Sequence, residues 1–190
     1  DGDSLVSKIA AQGIIPGIKV DKGAKALAGS HGETITEGLD GLRERLEEYY
    51  ELGARFTKWR GGLSIGNSLP TPYCVETNAH ALARFAALSQ EANLVPIVEP
   101  EVLMDGDHSI DACYDATSYV LREVYDHLTR QNILLEGTLL KPNMVLSGKD
   151  ATNRVDPGQV AEFTVKCLLE TVPAQVPGIV FLSGGQSDEE

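Results

Sequence analysis

Short apolar runs alternate along the chain with longer stretches in which apolar residues recur every three or four positions, so the pattern predicts strands and helices in turn. The strand candidates span roughly 13 to 20, 54 to 60, 94 to 99, 133 to 141 and 178 to 183. Pro16 and Pro96 weaken two of these, because proline cannot donate to a ladder and usually sits at strand starts or edges. Between the strands, Leu39, Leu42, Leu46 and Tyr49 keep helical spacing behind a capping box from Thr34 to Glu37. Val75, Ala79, Leu82 and Ala86 follow Thr71-Pro72, a proline suited to a first helical turn. Cys113, Ala116, Val120 and Val124 predict a third helix, and Val160, Phe163 and Cys167 after Asp156-Pro157 a fourth. Strict alternation implies parallel strands joined by right-handed crossovers. The stretch 61 to 70 reads as a loop and not an interdomain linker, so residues 1–190 are expected to form a single domain.

Composition narrows the function. The formal net charge of −12 opposes binding to nucleic acid or anionic membranes, which need a basic face to release counterions. Lys19, Lys22, Lys25, Lys58 and Arg60 nevertheless gather near strand-like runs, where they would draw in an anionic small molecule. Cys74, Cys113 and Cys167 are odd in number and widely spaced, which argues for reduced, buried thiols over a disulfide framework or a zinc site. Asp105-Gly-Asp-His108 reads as a turn, because the four histidines at 31, 80, 108 and 127 supply no ligand spacing. No metal or cofactor is therefore expected. No stretch approaches a membrane span and no signal peptide is evident, so a cytoplasmic or organelle-matrix location (plastid or glycosome) is expected. The chain starts at Asp1 without methionine, and Ser187 to Glu190 reads as the capping box of a helix with nothing to propagate into. Both features suggest a piece of a longer protein.

Lys141 is the residue that most needs explaining. It ends an apolar run and is stopped by Pro142, which puts an amine at the mouth of a buried strand. Partial desolvation there disfavours the charged form and frees a nucleophilic lone pair, although a lysine snorkelling into water would have the same pattern. The polar residues at the other strand ends bear on the choice: Lys19, then Lys58 with Arg60, Glu99 with Glu101, Lys141, and Ser183 with Gly184 and Gly185. Lys19, Lys58, Glu99, Lys141 and Ser183 follow one another at steps of 39, 41, 42 and 42 residues. In an open doubly wound sheet only the switch-point loops meet a ligand, whereas a (β/α)8 barrel brings every strand end to one mouth. Eight such steps would need more than about 300 residues, so about five β/α units of a TIM barrel are expected here. Residues two apart on a strand share a face, which puts Lys58 with Arg60 and Leu139 with Lys141. Lys58 would disfavour protonation of Lys141 or bind a substrate oxyanion, and Glu99 would supply the proton shuttle that Schiff-base chemistry requires. Glu101 would hold that network or be a solvated loop acid. Alternatively, Lys58 and Arg60 pair with Glu99 and Glu101 as a structural salt-bridge layer. Ser183-Gly184-Gly185 is either an anion nest of backbone N–H groups or a turn needing positive φ.

The chain also resembles the class I fructose-1,6-bisphosphate aldolases along its whole length. The motifs are Gly-Ile-Lys-Val-Asp-Lys-Gly at 17 to 23, Leu-Ala-Gly at 27 to 29, Gly-Leu-Asp-Gly-Leu at 38 to 42 and Lys-Trp-Arg at 58 to 60. They continue with Val-Pro-Ile-Val-Glu-Pro-Glu at 95 to 101, Asp-Gly-Asp-His at 105 to 108, Leu-Glu-Gly-Thr-Leu-Leu-Lys-Pro-Asn-Met at 135 to 144 and Phe-Leu-Ser-Gly-Gly-Gln-Ser at 181 to 187. The resemblance implies a (β/α)8 barrel, usually tetrameric, that reversibly cleaves fructose 1,6-bisphosphate to dihydroxyacetone phosphate and glyceraldehyde 3-phosphate without a metal. It implies that Lys141 forms the Schiff base, that Glu99 is the principal acid/base, and that Lys58 and Glu101 support carbinolamine chemistry. Lys19 and Arg60 would line phosphate and hydroxyl subsites, and Ser183, Gly184 and Gly185 would hold the ketose phosphate. The chain would cover about strands three to seven. The family's aspartate on the first strand, arginine after the last strand and tyrosine near the C-terminus have no counterpart among these 190 residues.

Overall fold

The computed structural model describes residues 4–187, so the expected capping box ending at Glu190 lies outside the described residues. The elements run α1 (Leu5–Ala11), β1 (Gly17–Lys19), β2 (Ala24–Ala26), β3 (Thr34–Thr36), α2 (Leu42–Glu51), β4 (Phe56–Leu63) and α3 (Pro72–Glu91), followed by β5 (Val95–Val102), α4 (Ile110–Arg130), β6 (Leu139–Leu140) and α5 (Pro157–Thr171). A parallel sheet of order β1-β4-β5-β6 forms the frame, and a bridge from Leu140 to Ile179 continues it in parallel. Spatial order follows chain order with no reversal, which is an arc of a barrel wall and not a doubly wound sheet. Helices α2 to α5 lie between successive strand positions in the chain.

The long helices begin where local chemistry starts them. Thr71, Ser109 and Asp156 each accept a bond from the N–H three residues on, and Pro72 and Pro157 occupy first-turn positions where no N–H is needed. The faces predicted from spacing are the buried ones: Val75, Ala79, Leu82 and Ala86 on α3, and Cys113, Val120 and Val124 on α4. They pack on Trp59, Val98, Val102 and Leu140 of the sheet, with Trp59 stacked on Phe85 at 5.7 Å. All three cysteines are free and buried. Burial pushes the Cys74 thiol up to about 11, with nearby Glu33 adding to the shift.

Four expectations need correction. Thr34 to Glu37 is no capping box. Thr34–Thr36 pairs antiparallel with Ala24–Ala26, the hydroxyl of Thr36 donates to Arg60 O at 2.6 Å, and α2 starts only after Gly41, whose φ of 65° is left-handed. The hairpin wins because its ladder and its hydroxyl bonds to β4 satisfy more backbone than a helical turn would there. The loop expected at 61 to 70 loses its first three residues to β4, since β5 offers partners as far as Val102. The strand expected at 133 to 141 shrinks to Leu139–Leu140 behind a 3-10 turn at Leu135–Gly137. There the Gln90 side chain takes the place of a strand, donating to Leu134 O at 2.8 Å and accepting from Leu134 N at 3.1 Å. The last strand, 178 to 183, is reduced to the single bridge at Ile179. Helix α1 was not foreseen; it carries no buried residue, so no core-facing stripe marks it in the sequence.

Candidate active site

Register decides what meets at the C-terminal ends of the strands. Lys19 lies level with Lys58, Arg60 level with Glu99, and Lys141 donates its backbone N–H to Val98 O at 2.8 Å. Along β4, Thr57, Trp59, Gly61 and Leu63 are buried under the helices, leaving Lys58 and Arg60 on the opposite, inner face. On β5 the same face carries Glu99 and Glu101.

Glu99 is the centre of the arrangement. Its side chain is only 2% exposed and lies between two amines: Lys141 Nζ donates to Oε1 at 2.6 Å, and Lys58 Nζ stands 2.5 Å from Oε2. The second contact is an ion pair by distance without hydrogen-bond alignment, so Oε2 has charge compensation but no aligned donor. Next along the face, Arg60 donates to Glu101. That bond raises the already high guanidinium pKa, burial opposes it, and the charges of Glu101, Glu99 and Asp21 add to it, so Arg60 stays cationic. Both ion pairs of the salt-bridge reading are thus present, and Lys141 adds a third partner that a two-by-two layer does not need.

Lys19 stands apart from this group and pairs with Asp21, a residue the sequence reading did not single out. The Asp21 side chain is 2% exposed, accepts from Gly23 N at 3.0 Å, and reaches Arg60 N at 3.4 Å. It joins the first strand end to the second. The signal for it was the same two-residue parity that picked out Arg60 beside Lys58. Asn143 was also missed. On β5 the odd residues bond towards β4, as Val95 N does to Arg55 O, while the even ones face β6. Pro96 and Pro100 therefore lack N–H groups only on the side where the ladder is two residues long. Beyond that ladder, Asn143 Oδ1 accepts from Val102 N at 2.9 Å while its Nδ2 donates to Thr117 Oγ1 at 3.0 Å.

Ser183-Gly184-Gly185 forms a turn closed by Gln186 N to Ser183 O at 3.1 Å, with φ of 62° and 75° at the glycines, so the positive-φ expectation holds. The turn shares a cavity of about 270 Å³ with Glu101, Asn143 and Met144. Asp105 to His108 is a bend whose Asp105 pairs with Lys149 at 2.5 Å. His108 lies buried with neither ring nitrogen bonded; burial lowers its pKa and Asp107 opposes the shift. Among the described residues no group of three metal-ligating side chains comes together.

Parallel strands in chain order with two lysines and a buried carboxylate at their C-terminal ends define a barrel-type site suited to amine catalysis of a carbonyl compound. Comparison with known proteins agrees. The family described as "Glycolytic: Fructose-bisphosphate aldolase class-I" matches residues 1–190. The chain is 60% identical over 190 residues to the probable fructose-bisphosphate aldolase class 1 of Xanthomonas campestris, covering all of this chain and 57% of that protein. It is 53% identical over 189 residues to the cytosolic fructose-bisphosphate aldolase 4 of Arabidopsis thaliana, 48% of whose length it covers. The solved aldolase from Plasmodium falciparum, in complex with TRAP and a small-molecule inhibitor, superposes with a TM-score of 0.94 at 49% identity, over 97% of this chain and 54% of that one. The chain belongs to the class I fructose-bisphosphate aldolases. It spans about half the length of these relatives and forms an unclosed part of their TIM barrel.

Proposed function

We propose that the protein is a lyase that reversibly cleaves fructose 1,6-bisphosphate to dihydroxyacetone phosphate and glyceraldehyde 3-phosphate, in glycolysis and gluconeogenesis, with Lys141 as the Schiff-base nucleophile. The observation that carries this reading is the placement of one buried carboxylate, Glu99, against both Lys141 and Lys58. Glu99 takes a proton from the Lys141 ammonium, and the freed amine adds to the C2 carbonyl. The proton returns from Glu99 to the carbinolamine hydroxyl, which leaves as water and gives an iminium. Removal of the proton on the C4 hydroxyl then breaks the C3–C4 bond. The electron pair moves onto the iminium as an enamine and the aldose departs. Protonation of the enamine at C3 and hydrolysis release the ketose and restore Lys141. Lys58 keeps a positive charge beside Glu99 through these transfers and stabilises developing oxyanions. Glu101 holds Arg60, and Arg60 and Lys19 receive the phosphate and hydroxyl groups of the substrate. The turn of Ser183, Gly184 and Gly185 offers backbone N–H groups to the ketose phosphate.

Residues 1–190 are read as one domain, an incomplete barrel, and the protein as a homo-oligomer, tetrameric as the family resemblance implies. A cytoplasmic location follows the Arabidopsis relatives described as cytosolic. The test is borohydride reduction in the presence of dihydroxyacetone phosphate, followed by peptide mapping. A ketose adduct on Lys141, with activity retained in excess EDTA, is expected. An adduct on Lys58, or none, would overturn the assignment.

A further inference from the structure

The chain has two methionines, and both lie directly beneath the turn read above as the ketose-phosphate loop. A Cβ built on Gly185 would stand 2.4 Å from Met104 Sδ and 2.7 Å from its Cε. One built on Gly184 would stand 2.8 Å from Met144 Cε. The turn therefore rests on thioethers with no space between. Met104 comes from the segment after β5 and Met144 from the segment after β6, and both are half-buried and line the cavity that the turn caps. Neither methionine is sealed from solvent.

From this juxtaposition we infer that Met104 and Met144 make the phosphate loop a site of reversible oxidative control, in which sulfoxidation by hydrogen peroxide unseats the turn and weakens binding of the sugar bisphosphate. In the reaction a sulfur lone pair attacks one peroxide oxygen and the O–O bond breaks. One oxygen stays on sulfur, which loses two electrons, and the other leaves as water. The added oxygen is polar and must be hydrated or hydrogen-bonded, and Gly185 closes the side of the Met104 sulfur that faces the turn. Either the methionine swings out or the turn lifts, and both remove the floor that aims the backbone N–H groups. The thiols compete poorly for the oxidant. Cys74, Cys113 and Cys167 are buried and burial raises all three above the usual thiol range, whereas a thioether reacts without losing a proton.

The inference rests on the proposed role of the Ser183 turn, and one experiment separates the two. The protein expressed from its full open reading frame is titrated with fructose 1,6-bisphosphate by calorimetry before and after graded peroxide, and oxidised positions are mapped by peptide mass. Oxygen should appear on Met104 and Met144 before the three thiols. Affinity should fall by roughly tenfold, the effect of losing about one ordinary hydrogen bond. Methionine sulfoxide reductase should restore it. In the Met104→Leu/Met144→Leu variant, compared with its own untreated form, peroxide should change affinity little. Should that double variant not fold, the dose-by-dose match between sulfoxide content and lost affinity in the natural protein decides the matter. Oxidised methionines with unchanged affinity, or an equal loss in the leucine variant, would overturn the inference alone. A protein that binds no bisphosphate before oxidation would overturn both it and the reading of the turn.

Discussion

A carboxylate 2% exposed between two amines is tolerable only while both charges remain. Glu99→Gln keeps the shape but leaves Lys58 and Lys141 facing a neutral group and removes the proton shuttle proposed above. Its kcat should fall by about 10²- to 10⁴-fold, as for loss of a general acid/base, measured by steady-state cleavage. Asp21 is different, since it contacts Lys19 and the backbone of Arg60 rather than Lys141. Asp21→Asn retains the bond from Gly23 N and loses the charge that holds Lys19. The expected result is a KM for the bisphosphate raised several-fold with kcat nearly kept. A kcat loss matching that of Glu99→Gln would place Asp21 in the chemistry instead.

At the level of elements, the hairpin β2–β3 is tied to the start of α3 by Glu33. Its carboxylate, 3% exposed, accepts from Thr71 N at 2.7 Å, Thr71 Oγ1 at 2.6 Å and Ser30 Oγ at 2.5 Å. Burial alone would raise its pKa, but the hydrogen bonds from Ser30, Thr71 and Cys74 together outweigh that and hold it below 4.5. A depressed carboxylate stabilises the fold fully above its unfolded pKa, and the contribution is lost as pH falls through the lower folded value. Glu33→Gln should therefore cost stability, on the order of 1 to 2 kcal/mol, at neutral pH, and the difference from the natural protein should shrink below pH 4.5 in urea unfolding across that range. The segment after β5 is pinned to that after β6 by Gly148 N to His108 O and Lys149 N to Met104 O, both 2.8 Å. A Cβ on Gly148 would fall 2.2 Å from Gly106 O. Gly106 O and His108 N, the latter at 3.0 Å, are both backbone and cannot yield, so Gly148→Ala should lower the thermal midpoint and also weaken bisphosphate binding by moving Met104. Unchanged binding would separate this loop from the site.

For the molecule as a whole, the sheet of described residues is an arc with two sides open. Beside β1 lie exposed Ile14 and Ile15, and beyond the Ile179 bridge lie Val180 and Phe181, 37% and 51% exposed. Open edges flanked by apolar side chains recruit other strands. Residues 1–190 expressed by themselves should associate in light scattering and show no aldolase activity, and a well-behaved, active monomer would contradict this. The same openness bears on what was readable beforehand. Helices α3, α4 and α5 were legible because a cap, a first-turn proline and a 3.6-residue stripe all act within a few residues. The expected strands 133 to 141 and 178 to 183 were less so, because Gln90 holds Leu134 where a neighbouring strand would, and only Ile179 of the last segment is bridged.

The sequence by itself determined the alternation of strand and helix, the steps of about 40 residues that bring Lys19, Lys58, Glu99, Lys141 and Ser183 to one end, and the parity that puts Arg60 on the face of Lys58. Periodicity and spacing carry that much because strand and helix geometry repeat along the chain. Only the tertiary structure decided that Thr34–Thr36 joins a hairpin, that Asp21 and Asn143 hold the strand ends, and that two methionines fill the space under the glycine turn. Those outcomes depend on which backbone lies alongside, across 39 residues from Asp21 to Arg60 or 41 from Val102 to Asn143, and no local pattern encodes such a register. Lys141 was conspicuous as an amine at a strand mouth, but only the register of β5 on β6 set Glu99 against it.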